Sequence, residues 1–214
     1  MRRRAVLAVF AALAACGPRT GVEMVAEAVP ANWESAVRAE RADRDAYFRD
    51  DPETPLHPAD RAGFRGLQFW DPSPALRFVG PVHRYSTSEP FRVITTNGKE
   101  RPCVRYGWLS FRLDGRAHTL QIYMLLDAPE SGDEVRDLFL PFTDRTTGIE
   151  TYPAGRYVEL EQLGDGRYVL DFNRAHNPFC AYGMPERFAC PVTPTENRLT
   201  VRIEAGERGY RGRS

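Results

Sequence analysis

Apolar and polar side chains alternate along residues 117–127, with the period of two that is typical of a strand packed on one face. The apolar positions are Leu120, Ile122, Met124 and Leu126. Comparable segments predict strands at 75–80, 89–96, 101–113, 117–127, 156–163, 167–173 and 199–204. The turn sequences Asn97-Gly98, Asp114-Gly115 and Gly164-Asp165-Gly166 join several of them as hairpins. The pattern predicts a mainly β fold, a single antiparallel β barrel or sandwich.

One segment, at about 32–50, has a helical period instead. Its inward positions are Trp33, Val37, Arg44, Tyr47 and Phe48. Asn32 suits the N-cap position, and Pro52 stops the pattern. Prolines then recur at positions 52, 55, 58, 72 and 74. We therefore expect one N-terminal amphipathic helix followed by long Pro-rich loops.

The chain starts with a basic segment, Arg2-Arg3-Arg4, and an apolar run over residues 5–15 that ends at Cys16. A membrane-spanning helix needs about 20 apolar residues, so this shorter run is interpreted as a signal peptide. The segment resembles a bacterial lipoprotein signal. That resemblance implies cleavage before Cys16 and attachment to a membrane by lipid on Cys16. Gly17 at the next position favours the outer membrane if the source is Gram-negative.

These features divide the chain into a signal peptide (1–15), a tether (16–30), a single β-rich domain (31–207) and a flexible tail (208–214). Removal of the leader takes away three of the 29 basic residues and none of the 29 acidic ones, which gives a formal charge of −3. Proteins that bind nucleic acid present strongly basic faces, so no nucleic-acid partner is expected. The expected location is the cell envelope, with the domain facing the periplasm or the exterior.

The hairpin at 164–166 predicts a register for its two strands. A three-residue loop pairs Leu163 with Arg167, which would place Glu159 opposite Asp171 and Tyr157 opposite Asn173. Two carboxylates facing each other across a ladder repel unless they are solvated, share a proton or meet a cation. The pair is either an ordinary solvated feature or part of a polar patch that binds a ligand.

Several motifs in the second half of the chain carry a family resemblance. They are Phe139-Leu-Pro-Phe-Thr-Asp144, Gly148-Ile-Glu150, Gly155-Arg156-Tyr157, Asp171-Phe-Asn173, Asn177-Pro178, Cys180-Ala-Tyr182, Cys190-Pro191, Glu196-Asn197 and Ala205-Gly206-Glu207. Together they resemble the bacterial family known as domain of unknown function 1684, over roughly residues 33–207. The resemblance implies little about activity, because that family has no settled function. His176 stands where the family usually has an aromatic residue.

The cysteines allow three interpretations. His176, Cys180 and Cys190 include ligand types that suit zinc, but no C-x2-C pair accompanies them, so we predict neither a metal nor another cofactor. Cys180 activated by His176 is a second interpretation, although nucleophile and base would be only four residues apart. Export to an oxidising compartment favours a Cys180–Cys190 disulfide, with two buried thiols as the alternative.

Two functions remain open at this point. The first is a lipoprotein that binds a small molecule or an envelope protein through Arg156, Tyr157, Asn173, Asn177, Tyr182, Glu196 and Asn197. The second is an envelope hydrolase with Asp171 or Glu150 as general base. Glu150, Arg156 and Glu196 also fit a purely structural ion-pair network. We expect Glu150, Arg156, Asp171, Asn173, Asn177 and Cys180 to cluster in space.

Overall fold

A computed structural model describes residues 21–127, 138–184 and 186–212 of the chain. The predicted signal peptide, Cys16 and residues 213–214 lie outside this part. The described chain is mainly β, with antiparallel sheets and few helices. The helices are α1 (Trp33–Asp50) and α2 (Pro58–Arg61), and short 3-10 turns cover Pro74–Leu76, Phe172–Arg174, Phe179–Tyr182 and Thr195–Asn197.

In the part of the chain that the structure describes, ten strands form three sheets. They are β1 (Arg77–Gly80), β2 (His83–Arg84), β3 (Phe91–Ile94), β4 (Glu100–Leu113), β5 (Arg116–Leu125), β6 (Leu138–Phe139), β7 (Pro141–Phe142), β8 (Arg156–Tyr157), β9 (Leu160–Gln162) and β10 (Tyr168–Asp171). The largest sheet has the order β2-β4-β5-β6, with β3 also paired to β4; the others are β1-β10-β9 and β7-β8. No sheet closes on itself among the described strands, so the expected barrel or sandwich is not confirmed.

The three predicted hairpin turns are present. Asp114 and Gly115 both have positive φ, 52° and 74°, as a two-residue turn between twisted antiparallel strands requires. The turn at 164–166 gives the predicted start of the register: the Leu163 N–H donates to the Arg167 carbonyl at 2.8 Å, and Leu160 pairs with Leu170.

One main core is shared by all three sheets. Phe78 of β1, Phe111 of β4 and Phe142 of β7 pack with Phe172, with ring centroids 4.8 to 6.3 Å apart. Leu109, Leu120 and Ile122 of the large sheet complete this apolar interior. A smaller cluster of Phe48, Leu56, Phe64 and Tyr182 joins α1 to the Pro-rich loops.

The predicted tether, 16–30, is already part of the fold at Met24 and Val25. The Met24 N–H donates to the Ser110 carbonyl at 2.7 Å, and Val25 exchanges two backbone hydrogen bonds with Val79. Met24 is buried in the main core, and a Cβ on Gly80 would lie 2.7 Å from the Met24 Cα. Packing of Met24 against Gly80 thus holds this segment on the domain, although its weak apolar pattern had predicted a tether.

The end of the chain differs from its prediction in the same way. Arg208 and Gly209 donate backbone hydrogen bonds to Gln68 and Glu150, both at 2.7 Å, and Tyr210 packs on Tyr182. These contacts attach residues 208–210 to the domain, within the range predicted as a flexible tail. The Arg/Gly composition did not reveal this, because the partners come from distant segments.

The predicted strand at 199–204 does not form, because Thr200 and Val201 lie in a bend and no strand covers the segment. Leu199, Val201 and Ile203 are buried, as their alternation indicated. The carbonyl of Ile203, however, accepts a hydrogen bond from the Arg156 guanidinium at 2.8 Å. A side chain thus provides the hydrogen bond that a neighbouring strand would provide in a sheet. An alternation of apolar residues cannot show which of the two partners a segment has.

Candidate functional site

An apolar cavity of about 450 Å³ lies between the ends of the large sheet and the loop that follows β10. Its apolar wall consists of Leu125, Phe139, Pro178, Phe179, Phe188 and Pro191, together with the Tyr157 ring. Phe139 meets Tyr157 edge to face with centroids 4.7 Å apart, and Phe179 meets Phe188 at 5.4 Å. We call this space the aromatic cavity.

Local chain geometry places the aromatic wall. Tyr157 is the last residue of β8. The segment opposite it follows the 3-10 turn Phe172–Arg174 and becomes extended at Ala175. Tyr157 and His176 then pair by two backbone hydrogen bonds, while Pro178 starts the turn that carries Phe179. The Tyr157 hydroxyl donates to the Pro191 carbonyl at 2.5 Å, which holds the far wall.

Polar side chains in the cavity are few. Arg101 and Arg187 line it, and none of the described lining residues is Asp or Glu. Arg101 donates to both carboxylate oxygens of Asp127, at 2.8 and 3.1 Å, and holds the pKa of Asp127 below its usual range. Arg187 is paired with Glu53 and lies over the Phe188 ring at 5.2 Å. The cavity is therefore apolar inside, with two cations in its wall.

His176 also lines the cavity. Burial, and secondly the charge of Arg44, lower its pKa to about 3. The imidazole is therefore neutral near pH 7 and adds no charge to the wall.

Cys180 and Cys190 are in contact at the edge of the cavity, and both are free thiols in the structure, the alternative to the predicted disulfide. The Cys180 N–H donates to the Cys190 sulfur at 3.3 Å, and the Tyr152 hydroxyl donates to the Cys180 sulfur at 3.6 Å. A hydrogen bond from the Cys190 thiol is the largest cause that lowers the Cys180 pKa, to about 6, while the pKa of Cys190 is raised. The Cys190 thiol therefore keeps its proton and donates it in a hydrogen bond to the Cys180 sulfur.

Asp171 is not paired with Glu159, because the β9–β10 ladder ends at the Leu160–Leu170 pair. On the other edge of β10, Asp171 pairs with Arg77 of β1. The Asp171 carboxylate is buried and accepts hydrogen bonds from the Trp33 indole at 2.7 Å and from Arg174 at 2.8 Å.

Asn173 completes the shell around Asp171. It donates to that carboxylate from its backbone at 3.0 Å and from its side-chain amide at 2.8 Å. The same amide binds both the N–H and the carbonyl of Ser73. The Asp171 carboxylate therefore connects α1, the loop before β1 and the turn after β10. Because its oxygens already accept these hydrogen bonds, it is poorly suited to act as a general base.

Glu150, the other candidate base, lies elsewhere. Its side chain is paired with Arg202 and Arg208, and its backbone carbonyl accepts from Gly209. Neither Glu150 nor Asp171 lines the aromatic cavity.

Arg156 is buried and serves as a backbone clamp. Its guanidinium donates to the carbonyls of Ile203 and Ala205 at 2.8 and 2.5 Å and lies 3.6 Å from the Asp144 carboxylate. Desolvation lowers its pKa to about 10, against the opposing effects of Asp144 and Glu207. This matches the structural interpretation of Arg156, but its anion is Asp144 rather than Glu150.

A buried carboxylate that the sequence did not single out as a site, Glu207, organises the neighbouring loop. It accepts from the Tyr182 hydroxyl and from the Asn177 amide at 2.9 Å, and it lies 3.4 Å from Arg44. Burial is the largest effect on its pKa, which is raised. The Ala205-Gly206-Glu207 motif was the available signal, since Gly206 has φ of 73° and approaches the Ala175 carbonyl closely.

Glu196 and Asn197 also brace the fold. Asn197 is buried and bonds both the N–H and the carbonyl of Gln121, at 2.7 and 2.9 Å, as well as the Pro141 carbonyl. Glu196 accepts from the Tyr123 hydroxyl at 2.6 Å and from Arg105 at 2.9 Å. These two residues connect the Thr195–Asn197 turn to β4, β5 and β7.

The structure brings the predicted residues into neighbouring segments but not into one site. Tyr157 and Asn177 line the aromatic cavity. Tyr182 joins Asn177 at Glu207, while the Asp171–Asn173 pair, Arg156, Glu150 and the two thiols have separate partners. The predicted cluster is therefore divided among several bracing networks, and the cavity itself was missed because its wall is built mainly from apolar residues.

Within the described residues, no group of three or more His, Cys, Asp or Glu side chains is arranged to hold a metal ion. The same residues include no helix with the length and apolar character needed to cross a membrane.

Comparisons with known proteins identify the family and a similar fold. The solution NMR structure of an uncharacterised protein from Haloarcula marismortui is 38% identical to this chain, covers 83% of it and 94% of its own length, and has a TM-score of 0.61. Functionally curated proteins give no match. The family model described as a protein of unknown function, DUF1684, matches residues 62–208. The chain therefore belongs to the DUF1684 family.

Proposed function

We propose that this protein is a membrane-anchored lipoprotein of the cell envelope whose domain binds a small molecule with a largely apolar body in the aromatic cavity. The observation that carries the proposal is the cavity itself. Its volume of about 450 Å³ is in the range of ligand sites, and such sites are lined mainly by apolar and aromatic side chains with few polar groups. The basic leader that ends at Cys16 supports the anchor and the location.

The hydrolase alternative is less favoured. A general base needs a free lone pair within reach of a substrate. Asp171 is surrounded by donors, Glu150 is ion-paired, and neither lines the cavity. Both carboxylates fit structural roles better.

The binding proposal is tested with the lipid-free chain, residues 16–214 carrying Cys16→Ser. A neutral, environment-sensitive dye, N-phenyl-1-naphthylamine, reports entry into an apolar site by its fluorescence. Ala189 lines the cavity, so Ala189→Trp fills it and should abolish the signal. Ala39→Trp adds the same ring at an exposed position on α1 and should leave binding unchanged. Equal dye binding by both variants would contradict the proposal.

A further inference from the structure

We propose that the ligand of the aromatic cavity is an anionic amphiphile, with an apolar body in the cavity and one acidic group held between Arg101 and Arg187. This inference rests on the proposed binding function and specifies its ligand. Both arginines line the cavity, and none of its described lining residues carries a negative charge. An apolar wall with two cations is complementary to a molecule with an apolar body and an anionic head.

The two arginines hold their present partners differently. The Glu53 side chain is 77% exposed, so water screens its pair with Arg187 and the contact is weak. Asp127 is 40% exposed and is held by Arg101 through both carboxylate oxygens. An acidic group that enters with its apolar body buried can therefore replace Glu53 at Arg187 and join Asp127 at Arg101.

The other arginines near this region differ in this respect. Arg156 is enclosed by backbone carbonyls and Asp144, and Arg44 faces the buried Glu207. Removing either of those partners would leave a buried charge uncompensated. Among the described residues, the arginines that line the cavity are Arg101 and Arg187 alone, and each has a carboxylate partner that is at least 40% exposed.

The interior offers few partners to a polar body. The Tyr157 hydroxyl is used by the Pro191 carbonyl, and the Asn177 amide nitrogen is used by Glu207 and the Arg208 carbonyl, which leaves the Asn177 amide oxygen as an acceptor without a partner. A sugar or peptide placed there would leave its own polar groups unpaired. The wall therefore favours an acyl chain or an aromatic ring system that ends in a carboxylate, sulfonate or phosphate.

A matched pair of dyes tests the inference on the lipid-free chain. 8-Anilino-1-naphthalenesulfonate has the ring system of N-phenyl-1-naphthylamine with an added sulfonate. Charge-assisted hydrogen bonds to an arginine should make the anionic dye bind about tenfold more tightly. In the double variant R101Q/R187Q the two dyes should bind with about equal affinity, so that the roughly tenfold ratio between them is lost.

A control arginine and the cavity-filling variant separate the outcomes. Arg112→Gln changes another ion-paired arginine, whose partner is Glu23, and should keep the preference for the anionic dye. Equal affinity of the wild-type chain for the two dyes, or a preference that survives in R101Q/R187Q, would overturn the ligand class but not the binding function. Dye binding that Ala189→Trp leaves intact would instead overturn the binding function.

Discussion

Tyr157 and His176 are joined by two backbone hydrogen bonds of 2.9 Å each, in place of the Tyr157–Asn173 pair that the hairpin register predicted. The shift of three residues follows from the 3-10 turn at Phe172–Arg174, which takes up chain length without extending the ladder. The shift turns the His176 ring toward Tyr157, with centroids 6.2 Å apart, and it places both rings in the wall of the aromatic cavity.

His176 should make the protein sensitive to acid. Its pKa is lowered from 6.5 to about 3, so the native state binds fewer protons than the unfolded chain below pH 6.5. The resulting stability is present above pH 6.5 and is lost as the pH falls toward 3. Between pH 6.5 and 4.5 this loss is about 2–3 kcal/mol. The free energy of unfolding of His176→Phe, measured with urea, should therefore fall by about 2–3 kcal/mol less than that of the wild type between pH 6.5 and 4.5.

Charged and titratable side chains surround His176 on two sides. They are Glu40, Arg41, Arg44 and Arg174 on one side and Arg101, Tyr157, Arg187 and Cys190 on the other. His57→Asn, at an exposed position where Asn can also cap α2, serves as the control and should keep the wild-type slope. Equal slopes for His176→Phe and the wild type would show that another group governs the acid sensitivity.

Asp171→Asn should destabilise the fold by about 2–4 kcal/mol, because an amide removes the charge that faces Arg174 and turns a donor toward other donors. Denaturant unfolding measures the loss. Glu150→Gln removes the charge of a partly exposed, ion-paired carboxylate and should cost less than about 1 kcal/mol. A neutral effect of Asp171→Asn on stability would reopen a functional role for this carboxylate.

Gly155→Ala should be more harmful than Gly166→Ala. Both glycines have positive φ, 98° and 82°, so alanine is strained at either position by about 1–2 kcal/mol. At Gly155 a Cβ would also collide with the Thr193 hydroxyl and lie 2.7 Å from the Phe142 carbonyl, whereas nothing lies within 4 Å at Gly166. Thermal unfolding should show a further loss of about 1–3 kcal/mol for Gly155→Ala. Equal losses would mean that the close contact relaxes freely.

Mild oxidation should link Cys180 to Cys190 and spare Cys103. Glutathione disulfide would accept one hydrogen from each thiol and be reduced to two glutathione molecules. Cys180 is the attacking sulfur because its pKa is lowered to about 6, whereas burial raises that of Cys103 to about 11. Differential alkylation and peptide mass mapping identify the bond, and Cys190→Ser should prevent it. Persistent glutathione on Cys180 in the wild-type chain would show that the loop cannot close.

Cys16→Ser should release the protein from the membrane. Lipid on this sulfur is the proposed anchor, and serine has no sulfur to carry it. Fractionation with mass analysis of the N-terminal peptide checks the expectation, and Cys103→Ser is the matched control. Membrane attachment that survives Cys16→Ser, without lipid on the peptide, would contradict the anchor.

The sequence alone determined the local structure. The helix at 32–50 and most strands followed from side-chain period, and the turns at 97–98, 114–115 and 164–166 followed from glycine at positions that need positive φ. The family followed from short motifs that keep their spacing. Each of these features depends on residues that are close together in the chain, so the sequence shows them without knowledge of the tertiary structure.

Only the tertiary structure decided which distant groups meet. Asp171 belongs with Trp33, Asn177 with Glu207, and Arg156 with the carbonyls of Ile203 and Ala205. In each pair the residues are separated by at least 30 positions, and buried polar groups must find partners wherever packing brings them. The aromatic cavity arises in the same way: its wall combines ordinary apolar residues from several segments, and no one segment carries a pattern that distinguishes a cavity from a core.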